Sequence, residues 1–155
     1  MASASAINKY TQLIIAILLL LTVSSLSARG IYQTNENFIL EVFTNTPPEN
    51  SSIILSGDVR EKVSTILGHP YGGLIIKYWE KEGRTAWILE EIGKTEPITF
   101  GIVIKNNKIE KIKVLAFRES RGWEVRYPAF TKQFNGVGLD NDKLDKRIDG
   151  ISGAT

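Results

Sequence analysis

The sequence predicts an α+β fold: an antiparallel β-sheet packed by a few helices and preceded by one N-terminal hydrophobic helix. Three observations carry this expectation. Ile98, Phe100, Ile102 and Ile104 alternate at strict period two, turn at Asn106-Asn107 and return through Ile109–Phe117. Two stretches, Asn35–Phe43 and Val59–Leu67, repeat apolar residues at helical spacing. The first 28 residues carry a single charge, Lys9, ahead of a long uncharged run.

That N-terminal run has an apolar centre, Leu13–Leu21, followed by the small-residue stretch Thr22–Ala28. A positive end, a short apolar middle and a small-residue exit describe a secretory signal peptide, with cleavage after Ser27 or Ala28. The uncharged run also approaches the ~20 residues that span a bilayer, so a membrane anchor is the competing reading. Either one puts the rest of the chain outside the cytoplasmic membrane, in the periplasm, with Lys9 inside. If the leader stays uncleaved, residues 10–28 attach the protein to the membrane.

Residues 29–52 form a lead-in. Within it, Phe38, Ile39, Val42 and Phe43 lie on one side of a helix, and Thr44–Pro48 breaks the chain. Asp58 is placed to cap a second helix, with Val59, Val63, Ile66 and Leu67 on one face and Gly68 before His69-Pro70 ending it. The middle of the chain is β. Leu74–Trp79 and Thr85–Leu89 flank a turn at Lys81-Glu82-Gly83, and the Ile98–Phe117 hairpin follows. Asn106-Asn107 tolerates positive φ and suits the hairpin turn. Consecutive hairpins give antiparallel pairing. Pro128–Phe134 is expected to be a short helix with Phe130 and Phe134 one turn apart, closed by Gly136-Val137-Gly138.

Composition narrows the function classes. Hydrophobic residues at 43% and charged residues at 23% are ordinary for a folded domain. A net charge of +2, falling to +1 without Lys9, argues against a nucleic-acid binder. With no cysteine, disulfides, thiolate metal sites and cysteine nucleophiles are ruled out.

The chemistry concentrates at the C-terminal end, Asp149-Gly150-Ile151-Ser152-Gly153-Ala154-Thr155. By composition alone this is a polar turn. The Thr155 hydroxyl has no nearby His or Lys to activate it, so self-catalysed chemistry is not expected. Flanked by Gly153 and Ala154, it is sterically open to modification by another enzyme.

Asp149, Ser152, Gly153, Ala154 and Thr155 match the motif Asp-x-x-Ser/Thr-Gly-Ala-Thr/Ser, which by average composition arises by chance about once per thousand chains of this length. In this the chain resembles the FMN-binding domain family. Members are flavinylated subunits of sodium-pumping NADH:quinone oxidoreductases and Rnf complexes, and single-domain exported flavoproteins. A second stretch, Phe117–Val125, is similar to the family segment that passes near the flavin, where Glu-Thr/Ser-x-Gly recurs. The resemblance runs from about Ile53 to Thr155, so residues 53–155 are the expected FMN-binding domain. It implies FMN joined through a phosphoester to Thr155 by a flavin transferase, with Ser152, Gly153 and Ala154 shaping the turn and Asp149 aiding recognition. Glu119, Ser120, Gly122 and Trp123 would lie near the flavin. The implied role is electron transfer, with a membrane redox partner or quinone-linked respiratory proteins as counterpart. Glu119-Ser120-Arg121-Gly122-Trp123-Glu124 stands where respiratory subunits often carry Glu-Thr-Pro-Gly-Leu-Gly, which favours the single-domain branch. Two alternatives stay open: an exported binding or structural domain without flavin, and a flavin-dependent reductase of a small extracytoplasmic acceptor.

Other residues carry weaker signals. Glu119 and Glu124 form a possible carboxylate pair, but two Glu beside basic residues are usually solvated. His69, the only histidine, has no evident metal partners. Trp79 and Trp87 lie in strand-like runs and read as core. Arg118, Arg121, Arg126 and Lys132 are candidates for the FMN phosphate or ribityl chain, or a basic surface patch.

Overall fold

The computed structural model describes residues 30–151. The expected N-terminal hydrophobic helix and Ser152–Thr155 lie outside the described residues. The α+β expectation holds for the rest. Six strands form one antiparallel sheet: β1 (Gly30–Ile31), β2 (Asn50–Ile54), β3 (Ile75–Lys81), β4 (Arg84–Ile92), β5 (Pro97–Lys105) and β6 (Lys108–Phe117), in spatial order β1-β6-β5-β4-β3-β2. The helices are α1 (Asn35–Val42), α2 (Gly57–Leu67) and α3 (Pro128–Thr131). Short 3₁₀ turns at Trp123–Arg126 and Lys132–Phe134 flank α3, and a small hairpin joins β7 (Leu139–Asp140) to β8 (Lys143–Leu144). Among the described residues no helix is long and apolar enough to cross a membrane.

The hairpin turns follow from residues that accept left-handed backbone. Glu82 and Gly83 (φ 54° and 71°) join β3 to β4, and Asn106 and Asn107 (φ 52° and 58°) join β5 to β6. Such pairs match the right-handed twist of the strands they connect. Thr34 caps α1 by accepting the backbone N–H of Asn37 at 3.2 Å. Asp58 does not cap α2. Ser56 occupies the N-cap position, and Asp58 sits in the first turn, where its charge complements the helix dipole.

The core lies on the α1 side of the sheet, where Phe38, Ile39 and Phe43 pack with Ala86, Val103 and Leu115. Phe38 and Leu115 are fully buried. Gly101 makes this approach possible: a Cβ there would fall 2.4 Å from the Phe38 ring. A register shift between Thr99 and Phe100, which pair with Ala116 and Val114, leaves Leu115 over and turns it into the core. The period-two run thus forms the expected strand, but its most buried positions are the alternate ones, Thr99, Gly101 and Val103. Ile98, Phe100 and Ile102 face the opposite side.

Candidate functional site

On that opposite side the sheet is only partly roofed. Val125, Phe130 and Phe134 stand across from Ile98, Phe100, Ile102, Ile112 and Val114, leaving an apolar groove of about 430 Å³ with Leu144 on its lining. Phe130 and Phe134 meet edge to face at 5.5 Å, as their one-turn spacing predicts. A second lobe of about 380 Å³ adjoins the first through Gly93, Ile98 and Val125. This lobe is more polar, bounded by Lys94, Thr95, Glu119, Ser120, Arg121 and Gly122. Each lobe has the size of a small-molecule site, about 300–1,000 Å³.

Glu119 builds the polar lobe from beneath. Its carboxylate accepts the backbone N–H groups of Lys94 (2.6 Å), Thr95 (2.5 Å) and Glu96 (2.8 Å), and the Thr95 hydroxyl at 3.1 Å. These bonds fasten the turn between β4 and β5 to the end of β6. The N–H groups of Glu96 and Thr95 in particular hold the carboxyl down at about 2, well below its ordinary 4.5. Glu119 is 6% exposed, buried among groups that demand its charge. Its acceptor capacity goes to backbone, which makes it a positioning residue for the wall of the lobe. The alternative of a Glu119–Glu124 acid–base pair has no support here, because a carboxyl held at about 2 is a poor proton donor.

Ser120 and Arg121 are exposed at the rim, and Gly122 takes φ 81°, a left-handed conformation that returns the chain into the 3₁₀ turn. Trp123 packs edge to face on Tyr127 at 5.2 Å. The Arg126 guanidinium lies 4.5 Å from the Tyr32 ring, 5.5 Å from Trp123 and 5.3 Å from Tyr127. Ring faces hold this cation, and its Nε is buried without a hydrogen-bond partner. Glu119, Ser120 and Gly122 therefore converge on one lobe, while Trp123 belongs to the aromatic cluster beside it.

The other candidate cations divide. Arg121 lines the polar lobe. Arg118 bonds the Pro97 carbonyl and Thr99 hydroxyl at 3.1 and 2.9 Å and lies 3.6 Å from Glu90, on the α1 side of the sheet. Lys132 is exposed. Trp79 packs against the α1 core as expected, whereas Trp87 does not join it: Ala86 takes the core-facing position, and Trp87 is half-buried, stacked on Tyr78 at 4.7 Å and 15°. His69 pairs with Glu91 at 3.4 Å, and no metal-ligating cluster occurs among the described residues.

Asp149 is tied to the groove wall through its backbone. Its N–H donates to Gln133 Oε1 at 2.9 Å, and its carbonyl accepts Gln133 Nε2 at 3.4 Å. Asp145 reinforces this by exchanging bonds with the Gly138 backbone, both at 3.0 Å. Gln133 belongs to the 3₁₀ turn that carries Phe134, so Asp149 is fastened to the element that roofs the apolar lobe. Ser152, Gly153, Ala154 and Thr155 lie outside the described residues. The Gly93–Pro97 turn and the roofing side chains of the groove escaped the sequence reading. The Gly-Lys-Thr-Glu-Pro run between two strands was the available signal for a tight turn, but not for its partner 25 residues away.

Residues 93–155 match the family model of the FMN-binding domain. No curated protein and no solved structure matches the chain. Every residue of the polar lobe, and all of the apolar lobe except Glu91 and Ile92, falls within the matched segment.

Proposed function

We propose, from the premise that residues 93–155 are an FMN-binding domain, that the protein is an exported flavoprotein in electron transfer, carrying FMN through a phosphoester on Thr155. One observation carries this reading beyond the family match. The segment leading to Thr155 is fastened at Asp149 to the turn that roofs a groove whose lining, Glu91 and Ile92 aside, the same matched segment supplies. From Ile151, four extended residues span at most about 14 Å.

The residues present suit the group. A planar, largely apolar ring system is matched by the aliphatic and phenyl lining of Ile98, Phe100, Val114, Phe130 and Phe134. Ser120 and Arg121 at the polar rim offer donors to the phosphate or ribityl chain. When bound, FMN supplies the redox chemistry, and the protein contributes position, a low-dielectric wall and a fixed exit direction. Glu119 holds the 93–96 turn, and Gly122 sets the path into Trp123. Glu119, the carboxylate of the polar lobe, is held down at about 2 and is a poor proton donor, which favours an electron carrier over a reductase with its own substrate. Attachment requires a flavin transferase. A membrane redox partner or quinone-linked respiratory protein, and a periplasmic site held by residues 10–28 if these stay uncleaved, complete the proposal.

The test is co-expression with a flavin transferase. A fluorescent band on a denaturing gel, with one FMN adduct by intact mass, is expected, and Thr155→Val should abolish both. A dark, unmodified wild-type chain overturns the covalent reading, and an adduct that survives in Thr155→Val moves it to another residue.

A further inference from the structure

The two edges of the six-stranded sheet are finished differently. On one side β6 is covered: β1 pairs with Ala116 and Phe117, and Ile109 exchanges backbone bonds with Val137 and Gly136 at 2.7 Å. Lys108, Lys111 and Lys113 also stand on that strand. Lysines and short capping strands are the usual means of keeping a sheet edge from pairing with another chain. On the other side β2, Asn50-Ser51-Ser52-Ile53-Ile54, has none of them. All five residues are exposed, none is charged, none is proline, and the register against β3 runs without a bulge from Asn50↔Trp79 to Ile54↔Ile75. Among the described residues no strand pairs with the outer edge of β2. Exposed apolar side chains continue across it: Ile54 is 66% exposed and its β3 partner Ile75 59%.

We infer that β2 pairs antiparallel with β2 of a second copy, joining two six-stranded sheets into one across a two-fold axis perpendicular to the sheet. A single register pairs all five residues. It sets Ser52 opposite Ser52, Ser51 opposite Ile53 and Asn50 opposite Ile54. No like charges meet in it, so the strand is compatible with its own copy, as a two-fold interface requires. Pairing satisfies the outward backbone groups of both edges and brings the exposed isoleucines under cover. A lipid surface is the poorer occupant, since an unpaired strand edge is costly in hydrocarbon. The charges of α2, which follows β2 in the chain, Asp58, Arg60, Glu61 and Lys62, are also mixed in sign and offer no attraction to anionic lipid.

The full chain, purified in detergent if membrane-bound, is measured by light scattering coupled to gel filtration. Twice the chain mass is expected. Ser52→Lys, which sets two lysines face to face beside Lys77 of each copy, should halve that mass while leaving the near-ultraviolet signal of the Tyr78–Trp87 stack unchanged. The natural chain has no cysteine, so Ser52→Cys reports the register: mild oxidation should cross-link it in high yield and Ser51→Cys poorly. A monomeric wild type overturns the inference, including one whose 50–54 amides gain exchange protection only when vesicles are added. So does a dimer that Ser52→Lys leaves intact, and equal cross-linking at positions 51 and 52 overturns the register.

Discussion

Residues 30–92 and 93–151 share one sheet but use apolar surface in different ways. In the second region the outer face of β5 and β6 is met by Val125, Phe130 and Phe134, which stop short of closing on it and leave a groove. In the first region Ile75, Ile76 and Trp79 of β3 border a groove of about 710 Å³ with Ile39 and Leu40 of α1, while the apolar residues of β2 and α2 stay exposed and α2 has no buried residue at all. A roofed apolar face with polar groups at one end suits a small planar ligand. A flat apolar margin beside an open strand edge suits a protein surface. The segment matching the FMN-binding domain coincides with the first arrangement and leaves out the second.

The contrast would break most visibly if the two regions folded independently. Phe38 belongs to the first and packs against Gly101 of the second. Phe38→Ala should therefore cost about 3–5 kcal/mol. Thermal unfolding should stay a single transition at a lower temperature, with hydrogen-exchange protection falling in both regions together. Protection retained across 93–151 alone would separate them.

Each region also holds a carboxylate at about 2, for different reasons. Glu119 owes its position to backbone N–H groups, first that of Glu96, in a buried turn. Glu41 of α1 owes its own first to Lys111, then to Gln33 and Lys113, with its side chain 36% exposed. Both are depressed in the folded state, so each contributes stability that is fully present above the ordinary 4.5 and lost as pH falls from there toward 2. Glu119→Gln should flatten the acid limb of stability in that window, lower stability above it and reduce flavin loading, equally at low and high salt. An acid limb unchanged from wild type would remove Glu119 from its role in the turn. Glu41→Gln should have the smallest effect, below about 1 kcal/mol after solvent screening, and that difference should vanish in high salt. A salt-independent loss would mean that the Glu41 cluster is more buried than its exposure indicates.

Much of this was legible locally. The hairpins were readable because Asn106-Asn107 and Glu82-Gly83 accept left-handed backbone and because Ile98–Ile104 alternates at period two. The helix over residues 35–42 was readable from its apolar spacing and its break at Thr44–Pro48. Ser120 and Gly122 were singled out by motif, and they do line one lobe with Glu119. Nothing in the local pattern showed that the Glu119 carboxylate would be committed to the backbone of residues 94–96, because side-chain type does not specify a distant turn.

By itself, then, the sequence determined the element types, the turns and the FMN-binding motif, since all three rest on residues within a few positions of one another. Tertiary structure alone decided which face of β5 became core. Both faces are apolar, and the choice fell to the one where Gly101 leaves room for Phe38. It also decided that Glu119 would build the wall of the polar lobe through the backbone of residues 94–96, and that β2 would lie at an edge that no other described strand covers. Period and propensity describe what one segment can do; which neighbour lies against each face is settled by contacts between segments far apart in the chain.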